Sequence, residues 1–341
     1  MNHETITRRL LLQMGVGAGV MTASSILHAS SPEDLSLTTA LGISGAEAPL
    51  FLALKKNWYR DAGINLKIAV GRGSAYAFQL ASVGTSDLAE GTATALAVGI
   101  QRGMAFKSFY AITRRSDFAM LVDKDSEIRG PADLRGKRIL CFSTSPWVPF
   151  IEPYLKRGGL TRNDVTIMMV ESNAVFATYI AGTADALLTI PSYTMPLVEK
   201  KRPSRALASS DVGIYAAGTG MAATPTIISK RADVLRKFVA VTGRAVVHTY
   251  QGNEDEAAAA TVEARPNDKL DIEKIRAQIT SRKYYITSDN TENKPVGWQS
   301  EKDWGVAIAS MEEAGLLKKG TRPEDLFTNE FFDANSPVLK S

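Results

Sequence analysis

Lys67 to Gly91 reads KIAVGRGSAYAFQLASVGTSDLAEG, and this stretch decides how the chain is read. A short apolar run ends at Val70. Gly71-Arg72-Gly73-Ser74 follows, Ala75 to Val83 has helical spacing, and Gly84 turns the chain into an apolar segment opening at Asp87. Strand, glycine loop, helix and strand in that order make a βαβ unit. The pattern returns at Val170 to Ile190, VESNAVFATYIAGTADALLTI. In each copy a valine ends a strand (Val70, Val170), and a polar loop and a short apolar helix follow. Gly-Thr-x-Asp then leads into another strand (Gly84 to Asp87, Gly182 to Asp185). Two such units predict an α/β protein with two lobes of like build.

Outward from these units the same periodicities continue. Leu35 to Leu41 alternates apolar and polar residues and reads as a first strand. LFLALKKNWYRDAG, ending at Gly63, has helical spacing, and Trp58-Tyr59 is placed to pack this helix on its sheet. A short helix opens at Pro131-Ala132-Asp133, and strands are expected over Arg138–Phe142 and in VTIMMV before the second unit. Tyr193 to Pro203 reads as the exit from the second lobe. From Ile214 a strand pair is expected, then long polar helices. Asp87 and Asp185, each at the start of a strand, read as structural.

The bulk numbers agree with a soluble α/β chain. Its 341 residues suit two lobes, and 45% hydrophobic with 22% charged residues is an ordinary globular mixture. A formal charge of +4, spread along the chain, gives no footing for nucleic acid. The single cysteine, Cys141, rules out an internal disulfide and a cysteine-based metal site and reads as a buried small hydrophobe. Of three histidines, His3 and His28 lie near the start and His248 in an apolar helical stretch. A Ser–His or metal centre therefore has little to be built from. Glu312-Glu313 sits on a solvated helix.

The first residues carry their own signal. Arg8-Arg9 follows Thr7 and precedes Leu11-Leu12 and a Gly/Ala-diluted apolar region. This is the pattern of a twin-arginine export signal over residues 1–29, with cleavage near Ala29. Its glycines, serines and threonines make a poor membrane span. The expected product is a periplasmic, monomeric chain that does not span the membrane after cleavage.

The glycine loop is not a nucleotide loop. G-x-G-x-x-G needs a third glycine where Tyr76 stands, and no Lys-Ser/Thr follows. What is left is a helix N-terminus at Ser74, suited to an anion or a carbonyl group. Equally, the glycines could simply turn the chain and Ser74 cap the helix.

EAPLFLALKKNWYRDAGINLKIAVGRGS, QLASVGTSDLA, DLRGKRI, YIAGTADALL and GWQSEKDW stand in family order. Together they resemble the solute-binding proteins of bacterial ABC importers for sulfonates, taurine, nitrate and thiamine pyrimidine precursors. That superfamily is also similar to the fungal pyrimidine precursor synthases. The resemblance covers Leu35 to Phe332. It implies a two-lobed, type II periplasmic binding protein fold. Lobe one would hold residues 35–120 plus 214–330 and lobe two residues 121–213, with a small-molecule solute in the cleft between them. It also implies an ABC permease and its ATPase as partners, with no cofactor, no metal and no catalysis.

Carried over by position, the ligand-binding residues are Ser44 and Glu47 after the first strand and Arg72, Gly73 and Ser74 after the second. Gly91 and Thr92 follow the third. In lobe two they are Ser143, Thr144 and Trp147, then Asn173, then Ser192 and Tyr193. Trp147 or Tyr193 would stack on a flat ligand or close over it, unless it packs in the core. Where many relatives carry histidine before Ala-Pro, this chain has Glu47, which favours an amine or ring N–H over an anion. Arg72 and Arg114-Arg115 could supply the opposite charge. The cysteine-rich motif and donor histidine of the fungal synthases are absent. An exported enzyme working through Glu47, or a domain presenting ligand to a sensor kinase, are the competing readings.

Overall fold

The pattern of Leu, Ile and Val in the two repeated units produces two sheets of the same design. The computed structural model describes residues 31–339 except 116, 144 and 172, so residues 1–29, read in the sequence as an export signal, lie outside the described residues. The chain first lays down β1 (Glu33–Thr38), β2 (Ile64–Ala69), β3 (Leu88–Thr92) and β4 (Lys107–Ala111). It then crosses into β5 (Ala119–Asp123), β6 (Arg138–Phe142), β7 (Thr166–Val170), β8 (Ala186–Thr189) and β9 (Ser204–Ala208). It returns to β10 (Thr219–Ala223).

The strand orders are β2-β1-β3-β10-β4 and β7-β6-β8-β5-β9. In each sheet three strands run parallel in the order second, first, third. The strand delivered by the crossing chain then inserts antiparallel before the fourth. β5 begins at Ala119, inside the segment 35–120 expected for the first lobe.

The repeat seen in the sequence is a repeat in space. β2, helix Ser74–Ser82 and β3 correspond to β7, helix Val175–Ile180 and β8. Gly84 and Gly182 both take left-handed φ values, +77° and +73°, which glycine adopts without steric cost. Asp87 Oδ2 accepts the Ser36 backbone N–H at 2.8 Å and its hydroxyl at 2.7 Å. Asp185 Oδ2 accepts the Arg138 backbone N–H at 2.7 Å. Each aspartate thus ties the third strand of its sheet to the first, a structural role.

Three expectations are corrected. The helix expected through Gly63 breaks, because Asn57 is left-handed (φ 58°) between helices Ala48–Lys55 and Trp58–Asp61. Tyr193 to Pro203 is not an exit: helix Pro191–Val198 leads to β9, which still pairs with β5. The strand pair expected from Ile214 is the single strand β10, because both its edges are taken, by β3 and β4.

Tyr59 is buried with Leu35, Leu37 and Ile64 of the first sheet, as its position suggests. It also stacks at 5.7 Å on Phe238 of helix Ala232–Tyr250, with its hydroxyl 2.8 Å from Thr242 Oγ1. Trp58, by contrast, is half-buried and faces that helix, its ring 3.9 Å from the Arg244 guanidinium. Cys141 is fully buried, and His248 pairs with Glu256 at 3.2 Å. The largest apolar cluster takes Phe78, Leu96 and Phe106 from one sheet's side and Phe118, Met120, Trp147 and Phe150 from the other's. Among the described residues no helix is long and apolar enough to cross a membrane.

Candidate functional site

In an open α/β sheet the loops at the carboxyl ends of parallel strands gather ligand-facing groups. Here those loops come from both sheets. The glycine loop lies against the loop after β1. A Cβ at Gly71 would stand 1.8 Å from the Thr39 carbonyl oxygen, so only glycine fits. Gly73 has φ +129° and donates its N–H to the Ala40 carbonyl at 2.7 Å. Gly73, not Ser74, is the N-cap residue. Ser74 is the first helical residue, and its Oγ accepts the Thr92 N–H at 3.2 Å. The glycines therefore shape the loop, and Ser74 joins it to the end of β3.

These loops enclose a cavity of about 330 Å³. Ser44, Glu47, Gly73, Ser74 and Thr92 line it from the first sheet; Trp147, Asn173 and Tyr193 line it from the second. Four expected residues do not. Arg72 is exposed, its guanidinium 5.9 Å over the Tyr76 ring. Gly91 is held by packing, since a Cβ there would meet the Phe78 ring at 2.5 Å. Ser143 is exposed outside the lining. Ser192 is buried beneath it, its hydroxyl donated to Asp117 Oδ2. Thr144 lies outside the described residues.

Trp147 is a wall rather than a lid. It is wholly buried, stacked on Phe118 at 5.2 Å, with Nε1 donating to the Thr189 carbonyl at 2.9 Å. Tyr193, 6.0 Å from Phe176, is less enclosed. Arg114 and Arg115 turn elsewhere: Arg114 donates to the Thr291 and Pro295 carbonyls, and Arg115 to Asp289 at 2.7 Å. Neither lines this cavity.

Two charged residues in the lining were not foreseen, Glu90 and Arg282. Glu90 sits inside an apolar strand pattern, LAEGT, where its position read as β3 and nothing more. Arg282 ends helix Ile272–Arg282, far along the chain in a segment read only as polar and helical. The apolar lining from Phe142, Val175, Phe176 and Ile190 was likewise read as strand or helix core.

Glu47 Oε2 accepts the Ser44 backbone N–H at 2.7 Å and its hydroxyl at 3.0 Å. Its carboxyl is within hydrogen-bonding reach of Glu90. Burial pushes Glu47 above the ordinary carboxylate range, against the pull of Arg282 and the Ser44 bonds. Glu90 goes well above it, through burial first and then the like charge of Glu47. Two carboxyls so placed favour one proton shared between them.

Helix Ile272–Arg282 bridges the two walls. Gln278 Oε1 accepts the Gly45 N–H at 3.0 Å, and its Nε2 donates to the Tyr193 carbonyl at 3.3 Å. Ser281 Oγ donates to the Ser192 carbonyl at 2.7 Å. Among the described residues no group of three or more His, Cys, Asp or Glu is placed to hold a metal ion.

The profile of the NMT1/THI5 like family matches residues 46–256. A curated relative, the riboflavin-binding protein RibY of Chloroflexus aurantiacus, is 24% identical over 85% of this chain and 83% of its own length. Among solved structures, the periplasmic aliphatic sulphonate-binding protein SsuA from Escherichia coli superposes with TM-score 0.66 at 16% identity. The match covers 91% of this chain and 96% of that one. The periplasmic nitrate-binding protein NrtA from Synechocystis PCC 6803 gives TM-score 0.66 at 12% identity, over 88% of each chain. The architecture is the two-lobed, type II fold of periplasmic binding proteins.

Proposed function

This chain belongs to the NMT1/THI5-like family, and from that membership and the two-walled cavity we propose that it is the solute-binding component of an ABC importer. It captures a small organic solute, of the sulfonate, carboxylate or pyrimidine-like kind, and delivers it to a permease driven by an ATPase. The observation that carries this reading is a cavity of about 330 Å³ lined by loops of both sheets, within the size range of small-molecule sites. Micromolar capture needs about −8 kcal/mol, and a hydrogen bond to a charged group contributes about 1.5–3 kcal/mol. No single loop supplies that, so contacts from both lobes must add, which is the physical reason for closure. The lobes we assign are residues 35–118 with 214–330, and 119–213, because β5 opens at Ala119 within the second sheet.

Arg8-Arg9 and the apolar stretch after it support export by the twin-arginine route, and the periplasmic relatives support the destination. Replacing both arginines by lysine should leave the chain in the cytoplasm with its first residues uncleaved. The test of the central reading is a thermal-shift screen with sulfonates, nitrate, aromatic carboxylates, pyrimidines, flavins and amines. A ligand at 100 times its Kd adds about 2.7 kcal/mol of stability. The expected result is one class bound one-to-one and recovered unchanged. Its conversion into a new product, seen by mass spectrometry, would move the chain to the enzyme reading.

A further inference from the structure

Arg282 and the Glu47–Glu90 pair line one cavity, and the charge of Arg282 reaches both carboxyls without a hydrogen bond to either. Arg282 is 7% exposed and its side chain makes no hydrogen bond or ion pair with the described residues; its Nε is a buried atom without a partner. Glu90, 3% exposed, has a buried Oε2 with no donor from any described residue. A buried guanidinium and a buried carboxyl pair left this way are costly unless something between them supplies an acceptor to the first and a donor to the second.

Building on the solute-binding reading, we propose that Glu47, Glu90 and Arg282 are the specificity-determining residues, selecting an uncharged ring whose edge carries a carbonyl beside an N–H, as in a pyrimidine-dione. The carbonyl accepts from Arg282 and the N–H donates to the carboxyl pair. One proton on two carboxyls leaves a single negative charge, which offsets Arg282. A sulfonate or nitrate therefore finds no net attraction, and it brings only acceptors to a pair that mainly accepts. A simple cation likewise finds no net attraction in a site whose charges cancel. The remaining wall, Phe142, Phe176, Ile190 and Tyr193, suits the faces of a flat ring.

The test uses lumiflavin, which shows this edge without charge or sugar, and its N3-methyl derivative, which blocks the N–H. Fluorescence titration of the purified chain should show lumiflavin bound and the methylated form at least about tenfold weaker. Taurine and nitrate should give no heat by calorimetry. Glu47→Gln and Arg282→Met should each weaken lumiflavin by about tenfold or more. Since either variant could fail to fold, the methylation comparison on the unaltered chain decides. Equal binding of the two flavins, or binding of neither, overturns the inference. Tight binding of taurine or nitrate overturns it while leaving the solute-binding reading standing. Conversion of lumiflavin to product would remove that reading while the methylation effect kept this one.

Discussion

Asp117 and Asp185 show how one residue type is set to opposite ends of its range. Burial raises Asp117 to about 6, although Ser192, Tyr285 and the charge of Arg282 all favour its ionised form. Its ordinary value is 3.8, so the folded state holds the proton more tightly than the unfolded chain. Stability therefore declines as pH rises from about 4 to about 6, and the full cost persists above. Asp117→Asn keeps an acceptor for Ser192 and removes that cost. The variant should gain up to about 3 kcal/mol over the parent near pH 8 and nothing below about pH 4, read by denaturant melts. Parallel pH profiles would show that Asp117 is not the group responsible. At Asp185 burial also acts upward, but the guanidinium and backbone N–H of Arg138 together outweigh it and hold the carboxyl below 3.8. The sign reverses: this stability is present above about pH 4 and is lost as pH falls through the folded value. Asp185→Asn should cost about 1 kcal/mol at neutral pH and converge with the parent in acid.

At the scale of the element, the glycine loop separates two reasons for one residue type. Gly71 is required by space, since its Cβ would meet the Thr39 backbone. Gly73 is required by conformation: nothing stands within 4 Å of its Cβ position, but φ is +129°. Gly73→Ala should therefore cost about 1–3 kcal/mol, the range for held backbone strain. Gly71→Ala should cost more, because two backbone segments must part and the Gly71 N–H leaves Thr39 Oγ1 at 3.1 Å. Thermal melts of the two variants check the order, and a milder effect at Gly71 would mean that the loop re-forms around the side chain. Both should weaken ligand capture, because Ala40 and Gly73 line the cavity. Sequence reading reached this loop because a βαβ unit is local: its glycines, helix and turn lie within one short window. It could not tell the space requirement from the conformational one, which depends on a strand some thirty residues earlier that packs alongside.

Across the whole molecule, legibility followed sequence distance. The two sheets were foreseeable from repeated local units, and eight of the lining residues are ones carried over by position from the family resemblance, at the strand ends where ligands of open α/β sheets sit. Glu90 was hidden because a charged residue inside an apolar strand gives no signal until its neighbour Glu47 is known. Arg282 was hidden because no local periodicity connects the end of a late polar helix to loops more than 190 residues before it. Whether Arg72 or Arg114 faces the cavity was open in the sequence for the same reason, since a guanidinium's partner is fixed only by the fold. The late helix also sets the mechanical prediction. The walls are tied by Gln278, held at Gly45 on one side and Tyr193 on the other, and by Ser281 on Ser192. Separation of the walls must break the Tyr193 and Ser192 bonds, each contributing about 0.5–1.5 kcal/mol net. A shift of that size changes a two-state population several-fold. The paired change Gln278→Ala with Ser281→Ala should thus shift the unliganded chain toward an open form, seen as a larger radius of gyration by small-angle scattering. A saturating ligand, which bridges the same walls, should return the variant to the parent's value at the cost of weaker affinity. Identical scattering of the two unliganded chains would place the hinge's control elsewhere, in the crossings at 112–118 and 209–218 rather than in this helix.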